Sequence, residues 1–67
     1  MIDARGLSCP MPVLLVQREV KKNVPETLEV LVDNMTAVGN ITRFAASQHY
    51  AVQVEEAEGE YRMTLSK

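Results

Sequence analysis

Cysteine is almost missing from this 67-residue chain: Cys9 stands alone. A single thiol closes no internal disulfide, builds no all-cysteine metal site and excludes dithiol redox chemistry, which needs a second, resolving sulfur. Histidine is as scarce, and His49 falls at the end of a predicted helix, where the ring more often meets the helix dipole than acts as a base. No pattern supplies a Cys-His-Asn constellation. Tryptophan is absent and Phe44, Tyr50 and Tyr61 are the only aromatics. With a net charge of −2 and a pI near 5.2, that composition argues against gripping nucleic acid. The longest uncharged apolar-rich run, residues 7–16, holds two prolines and is too short to span a bilayer. Nothing at the N-terminus looks like a signal peptide. A chain this short buries only about 60% of its unfolded surface, which leaves no room for a buried multi-residue active site with a cofactor pocket. The expectation is one small, soluble, cytoplasmic domain over residues 1–67, without metal or cofactor, free-standing or the first domain of a longer chain.

What is present alternates between strands and helices. Residues 1–4 form a short apolar-leaning start, and Gly6 with Ser8-Cys9-Pro10 marks a loop. A helix is predicted over residues 10–22, stopped by Asn23 with Pro25 two positions on. Leu28, Val30 and Val32 recur at period two and predict a strand at Thr27–Val32. Asp33 and Asn34 are good N-caps for a second helix over residues 35–48, with Val38, Ile41 and Ala45 on one stripe and Gly39 as its weak point. Tyr50, Val52 and Val54 alternate with polar neighbours, as do Tyr61, Met63 and Leu65. The acidic residues 55–60, with Gly59, are predicted to form the turn between them. The order β-α-β-α-β-β predicts an α/β (α+β) two-layer sandwich: a mixed four-stranded sheet with both helices on one face and the final strand antiparallel to the rest.

Chemistry concentrates in Arg5-Gly6-Leu7-Ser8-Cys9-Pro10-Met11-Pro12. Two prolines so close to a helix start fit only its first turn, where backbone N–H groups have no intrahelical partner. That predicts Cys9 at the N-cap, Pro10 at N1 and Pro12 at N3, with Met11 N–H best placed to reach the sulfur. A thiol at the positive end of a helix dipole has a lowered pKa and is a better nucleophile. The prolines also remove two donors, so the terminus suits a thiolate better than a phosphate. The residues alone leave two readings open, a reactive thiol and a small hydrophobe that merely begins a helix. On the first helix Val13, Leu14, Val16 and Val20 are expected to face the sheet. Met11, Leu15, Arg18 and Lys22 are expected on the opposite side, either as a partner-docking strip or as a solvated face. A nucleophile with no evident base or oxyanion apparatus suits a carrier that takes a group from one protein and yields it to another.

The run from Asp3 to Leu14 resembles the signature of the TusA/SirA/YedF sulfur-carrier family, with its Cys-Pro-x-Pro motif, and the resemblance spans the whole chain. Residues 32–67 look closest to the amino-terminal domain of YedF-type proteins linked to selenium metabolism, which a DsrE-like domain often follows. The resemblance implies that Cys9 carries sulfur as a persulfide, received from a cysteine desulfurase and relayed to an acceptor, DsrE-like or similar. The pathway would be tRNA thiolation or another sulfur or selenium route. It further implies that Pro10 and Pro12 shape the helix start and that Asp3, Arg5 and Gly6 support the loop; a monomer is expected. The competing expectation is a non-catalytic interaction or regulatory domain in which Cys9 only caps a helix.

Overall fold

The computed structural model describes residues 2–8 and 10–67. Its elements run β1 (Ile2–Asp3), α1 (Met11–Asn23), β2 (Thr27–Val32), α2 (Met35–Ser47), β3 (Ala51–Ala57) and β4 (Glu60–Ser66), in the expected β-α-β-α-β-β order. The sheet is ordered β1-β2-β4-β3. β1 pairs parallel with β2, and β4 lies between β2 and β3, antiparallel to both. The fold is therefore the predicted two-layer α+β sandwich with a mixed sheet.

Strand alternation decides which face carries the helices. Leu28, Val30 and Val32 of β2 and Met63 and Leu65 of β4 are buried on one face, while Thr27 and Glu29 are exposed on the other. Pro12, Val16 and Val20 of α1 and Ala37, Val38, Ile41 and Ala45 of α2 turn inward. The apolar residues among them join the sheet in a single core cluster. Each large side chain so buried contributes about 1.5–3 kcal/mol of transfer free energy.

α2 is closed at both ends. Asn34 is extended and its Oδ1 accepts from Ala37 N–H at 2.8 Å, so Asn34, of the two expected candidates, is the N-cap. At the other end His49 N–H donates to Ala46 O at 3.1 Å and Tyr50 N–H to Ala45 O at 2.9 Å. This is a Schellman closure with His49 in the left-handed region at φ 69°. The lone histidine thus serves the helix end through its backbone. Tyr50 Oη reaches Pro25 O at 2.5 Å and its ring lies under Lys67 Nζ, 5.2 Å from the centroid, tying down the end remote from the loop.

Three expectations need correction. The turn is not six residues long: β3 and β4 pair as far as Ala57 and Glu60. Glu58 and Gly59, at φ 54° and 80°, make a two-residue turn of the mirror-image type that matches strand twist. Glu55 and Glu56 are strand residues on the open edge, where charge discourages further pairing. Val54, at 44% exposed, lies at that same edge. The third correction concerns the start of α1. Its N-cap is Pro10, so Met11 is N1 and Pro12 is N2. Leu14 N–H donates to Pro10 O at 3.1 Å, the first bond of the helix, while Met11 N–H turns back to Ser8 O at 2.9 Å.

Candidate functional site

β1 and β2 are parallel neighbours, so their C-terminal ends lie side by side and each leads towards a helix. The loop of residues 4–8 leaves β1 at that end and is tied twice, to β2 and to the residue that follows it. Ala4, fully buried, donates its N–H to Leu31 O at 2.8 Å. Gly6 N–H donates to Asp33 Oδ2 at 2.7 Å. Gly6 sits at φ +77°, a conformation that a side chain would strain.

Arg5 is held as a fork. Its Nε and Nη2 donate to Asp3 Oδ1 and Oδ2 at 2.9 and 2.8 Å, and its Nη1 donates to Glu60 Oε2 at 3.0 Å. Arg5 N–H adds a bond to Asp3 Oδ1 at 3.2 Å. The side-chain bonds from Arg5, reinforced by that backbone bond, pull the Asp3 carboxyl down to a pKa of about 2. The same bonds to Asp3, then those to Glu60, push Arg5 further up. Both groups stay ionised throughout the neutral range.

The structure therefore gives each of the three expected loop residues a partner, in two separate sets of bonds, Asp3 and Arg5 with Glu60 and Gly6 with Asp33. It adds two members that local sequence did not signal. Glu60 lies 55 positions from Arg5 and Asp33 lies 27 from Gly6, separations that only the fold closes. Cys9 lies outside the described residues. Its described neighbours are Ser8, whose carbonyl accepts from Met11, and Pro10, which caps α1 without a side-chain hydrogen bond. With prolines at the N-cap and N2 and Met11 N–H already engaged, Val13 is the remaining first-turn donor. That is a poor cradle for a phosphate.

The docking strip is rotated from its expected phase. Pro12 is buried and lines up with Val16 and Val20, turning the inward face toward Pro12. Leu15 then packs partly against the core, while Leu14, at 44% exposed, joins Met11 at 43% on the outside. Arg18, Lys21 and Lys22 are exposed along the same helix. Met11 and Arg18 thus face solvent as expected, Lys22 extends their line, and Leu14 replaces Leu15. At the start of α2, Met35 is 61% exposed, a second methionine at the loop end that the sequence reading missed.

Charge is divided between the layers. The two helices hold four of the seven basic residues (Arg18, Lys21, Lys22 and Arg43) and one of the nine acidic ones, Glu19. A depression of about 290 Å³ beside the hairpin is lined by Leu31, Glu55, Glu56, Ala57, Glu60 and Arg62. Three carboxylates against one guanidinium make it unwelcoming to anions. Among the described residues no group of three metal-ligating side chains occurs, and no helix is long and apolar enough to cross a membrane. The arrangement offers an anchored loop at a helix start, flanked by exposed apolar residues and a basic helix face. That suits recognition by another macromolecule better than enclosure of a small one.

Comparison with known proteins points the same way. Residues 1–67 match the family described as sulfurtransferase TusA. A Methanocaldococcus jannaschii protein named as a candidate sulfur carrier is 38% identical over 68 residues, covering 98% of this chain and 91% of the relative. The crystal structure of a SirA-like protein from Desulfitobacterium hafniense superposes with a TM-score of 0.85 at 28% identity. That match covers 96% of this chain and 90% of the other.

Proposed function

The chain belongs to the TusA sulfurtransferase family, and from that membership we propose that it is a sulfur carrier in which Cys9 holds the cargo as a persulfide. The observation that carries this reading is the lone cysteine within Ser8-Cys9-Pro10-Met11-Pro12, in a chain that matches the family along its whole length. The Cys9 thiolate attacks the outer sulfur of a donor persulfide. A new sulfur–sulfur bond forms on Cys9, the donor's sulfur–sulfur bond breaks, and the donor leaves as a thiolate with no net oxidation. An acceptor thiolate then repeats the exchange on the outer sulfur of Cys9. No second cysteine is present within the chain to intercept the cargo.

The donor in this reading is a cysteine desulfurase and the acceptor a DsrE-like or similar protein, feeding tRNA thiolation or a related sulfur or selenium route in the cytoplasm. Asp3, Arg5 and Gly6 support the loop, Pro10 and Pro12 shape the helix start, and the domain works as a monomer. Partners dock on Met11, Leu14, Arg18 and Lys22, an apolar-plus-basic strip complementary to an acidic, partly apolar surface. The test is intact-protein mass spectrometry after incubation with a desulfurase, pyridoxal phosphate and cysteine. A reductant-sensitive gain of one sulfur on Cys9, lost in Cys9→Ser while the fold persists, is expected. No gain with several desulfurases, together with slow alkylation of Cys9 at neutral pH, would overturn the carrier reading.

A further inference from the structure

We propose that Asp33 is a positioning residue for the chemistry of Cys9, acting through its hydrogen bond to the Gly6 backbone. The proposal rests on the carrier reading and adds to it a residue outside the cysteine motif.

Asp33 directly follows Val32, a fully buried residue at the end of β2. β2 is an inner strand, flanked by β1 and β4, so its end is among the firmest points of the sheet. The side chain divides its two oxygens. Oδ1 accepts from Asn34 Nδ2 at 3.3 Å, and Oδ2 accepts from Gly6 N–H at 2.7 Å. The second bond is short and charge-assisted, and it crosses from the sheet to the loop. The capping of α2 does not require it, because Asn34 performs that task with its own Oδ1.

Gly6 is the loop residue that most needs a tether. Its left-handed backbone has no side chain to pack, and its N–H would otherwise face water. Ala4 N–H to Leu31 O fixes where the loop leaves the sheet, and Gly6 N–H to Asp33 fixes its heading two residues later. Leu7 then packs against the core, and Ser8 O receives Met11 N–H at the start of α1. The chain before position 9 is thus held at Gly6 by Asp33, and the chain after it enters α1 at Pro10. An error of about 1 Å in placing a reacting group can lower a transfer rate by about a hundredfold, so a loop anchor of this kind acts on rate more than on binding.

The experiment compares Asp33→Ala, Asp33→Asn and Asn34→Ala in the full chain. Asparagine keeps an acceptor for Gly6 but drops the charge. Asn34→Ala removes the α2 cap and leaves the loop bond, giving a control for lost stability. Two readouts are taken: the pH profile of Cys9 alkylation by iodoacetamide, and single-turnover sulfur transfer from a loaded desulfurase. Asp33→Ala is expected to slow transfer at saturating donor by about tenfold and to change the alkylation profile. Asp33→Asn and Asn34→Ala should stay within about twofold of wild type. If Asp33→Ala is no slower than Asn34→Ala, or if Asp33→Asn falls with it, the positioning role is overturned. Should Asp33→Ala fail to fold, Asp33→Leu, similar in shape and without an acceptor, takes its place under the same criteria. If wild type accepts no sulfur, the carrier reading fails, and the alkylation profiles still decide whether Asp33 positions Cys9.

Discussion

α1 and α2 have the same length and share one layer, yet they are built for different tasks. α2 is capped by Asn34, closed by a Schellman turn and buries four residues, with Arg43 as its one charged side chain. α1 starts on Pro10 with no side-chain cap and ends on Val24 in the left-handed region at φ 42°. It also leaves Met11 and Leu14 in solvent beside three basic residues. Local stability was evidently favoured in α2. In α1 the termini and the outer face depart from what stability alone would select, and the start and outer face lie where a partner would meet the loop, whereas Val24 lies at the far end.

The contrast is tested most severely by Ile41→Ala in α2. Ile41 is fully buried at the centre of the core, and its truncation should cost about 2–5 kcal/mol, most of what a domain this small possesses. Urea denaturation reads it directly. A midpoint equal to that of wild type would mean that α2 is not the stabilising helix.

The matching change in α1 is Leu14→Ala with Arg18→Glu. Both residues are exposed, so unfolding should move by no more than about 0.5 kcal/mol per site. Association with the sulfur donor should slow by about tenfold, and the difference should shrink in high salt. Arg43→Glu on α2 is the comparison. If it slows association equally, the assignment of docking to α1 is wrong.

Two smaller changes address the defects in each helix. Gly39→Ala places a methyl whose nearest neighbour is Arg43 Nη1 at 3.8 Å, ordinary contact distance, so α2 should gain about 1 kcal/mol. Val24→Gly relieves a β-branched residue in the left-handed region, worth about 1–2 kcal/mol, but frees the unfolded chain by about half that. The net gain should be below about 1 kcal/mol, read as a rise of a few degrees in Tm. A fall in Tm would mean that Val24, although 55% exposed, contributes packing that outweighs its strain.

Elements specified by nearby residues could be read from the sequence. β2 matches its predicted bounds because alternation and flanking turn residues both mark it, and α2 matches to its final turn because Asn34 and the inward stripe agree. The phase of α1 could not be read so well. Its prolines mark a helix start, and nothing local reveals that the Pro12 ring also packs inward and rotates Leu14 outward. The glutamates of residues 55–60 read as loop by composition, whereas pairing with β4 makes most of them strand. The loop residues Asp3, Arg5 and Gly6 were visible through the motif. Their partners Glu60 and Asp33 were not, because bonds over 55 and 27 positions leave no periodic trace.

The smallest predicted effect separates the loop end from the core by its response to pH. Asp3, held by Arg5 at a pKa of about 2, is lowered from the ordinary value of 3.8. A carboxyl depressed in the folded state stabilises fully above its unfolded pKa and loses that contribution as pH falls through the folded one. The stability difference between wild type and Asp3→Asn should therefore be constant above about pH 5, shrink from there and be nearly gone at pH 2. Both side chains are roughly half exposed, at 41% for Arg5 and 49% for Asp3, so the difference should be modest and weaken with added salt. The change on Ile41→Ala comes from lost apolar contact and should be nearly the same at pH 6 and pH 2. Thermal melts of the three proteins at both pH values make the distinction. An Asp3→Asn difference that survives at pH 2 would show that Asp3 holds the loop by shape and not by charge.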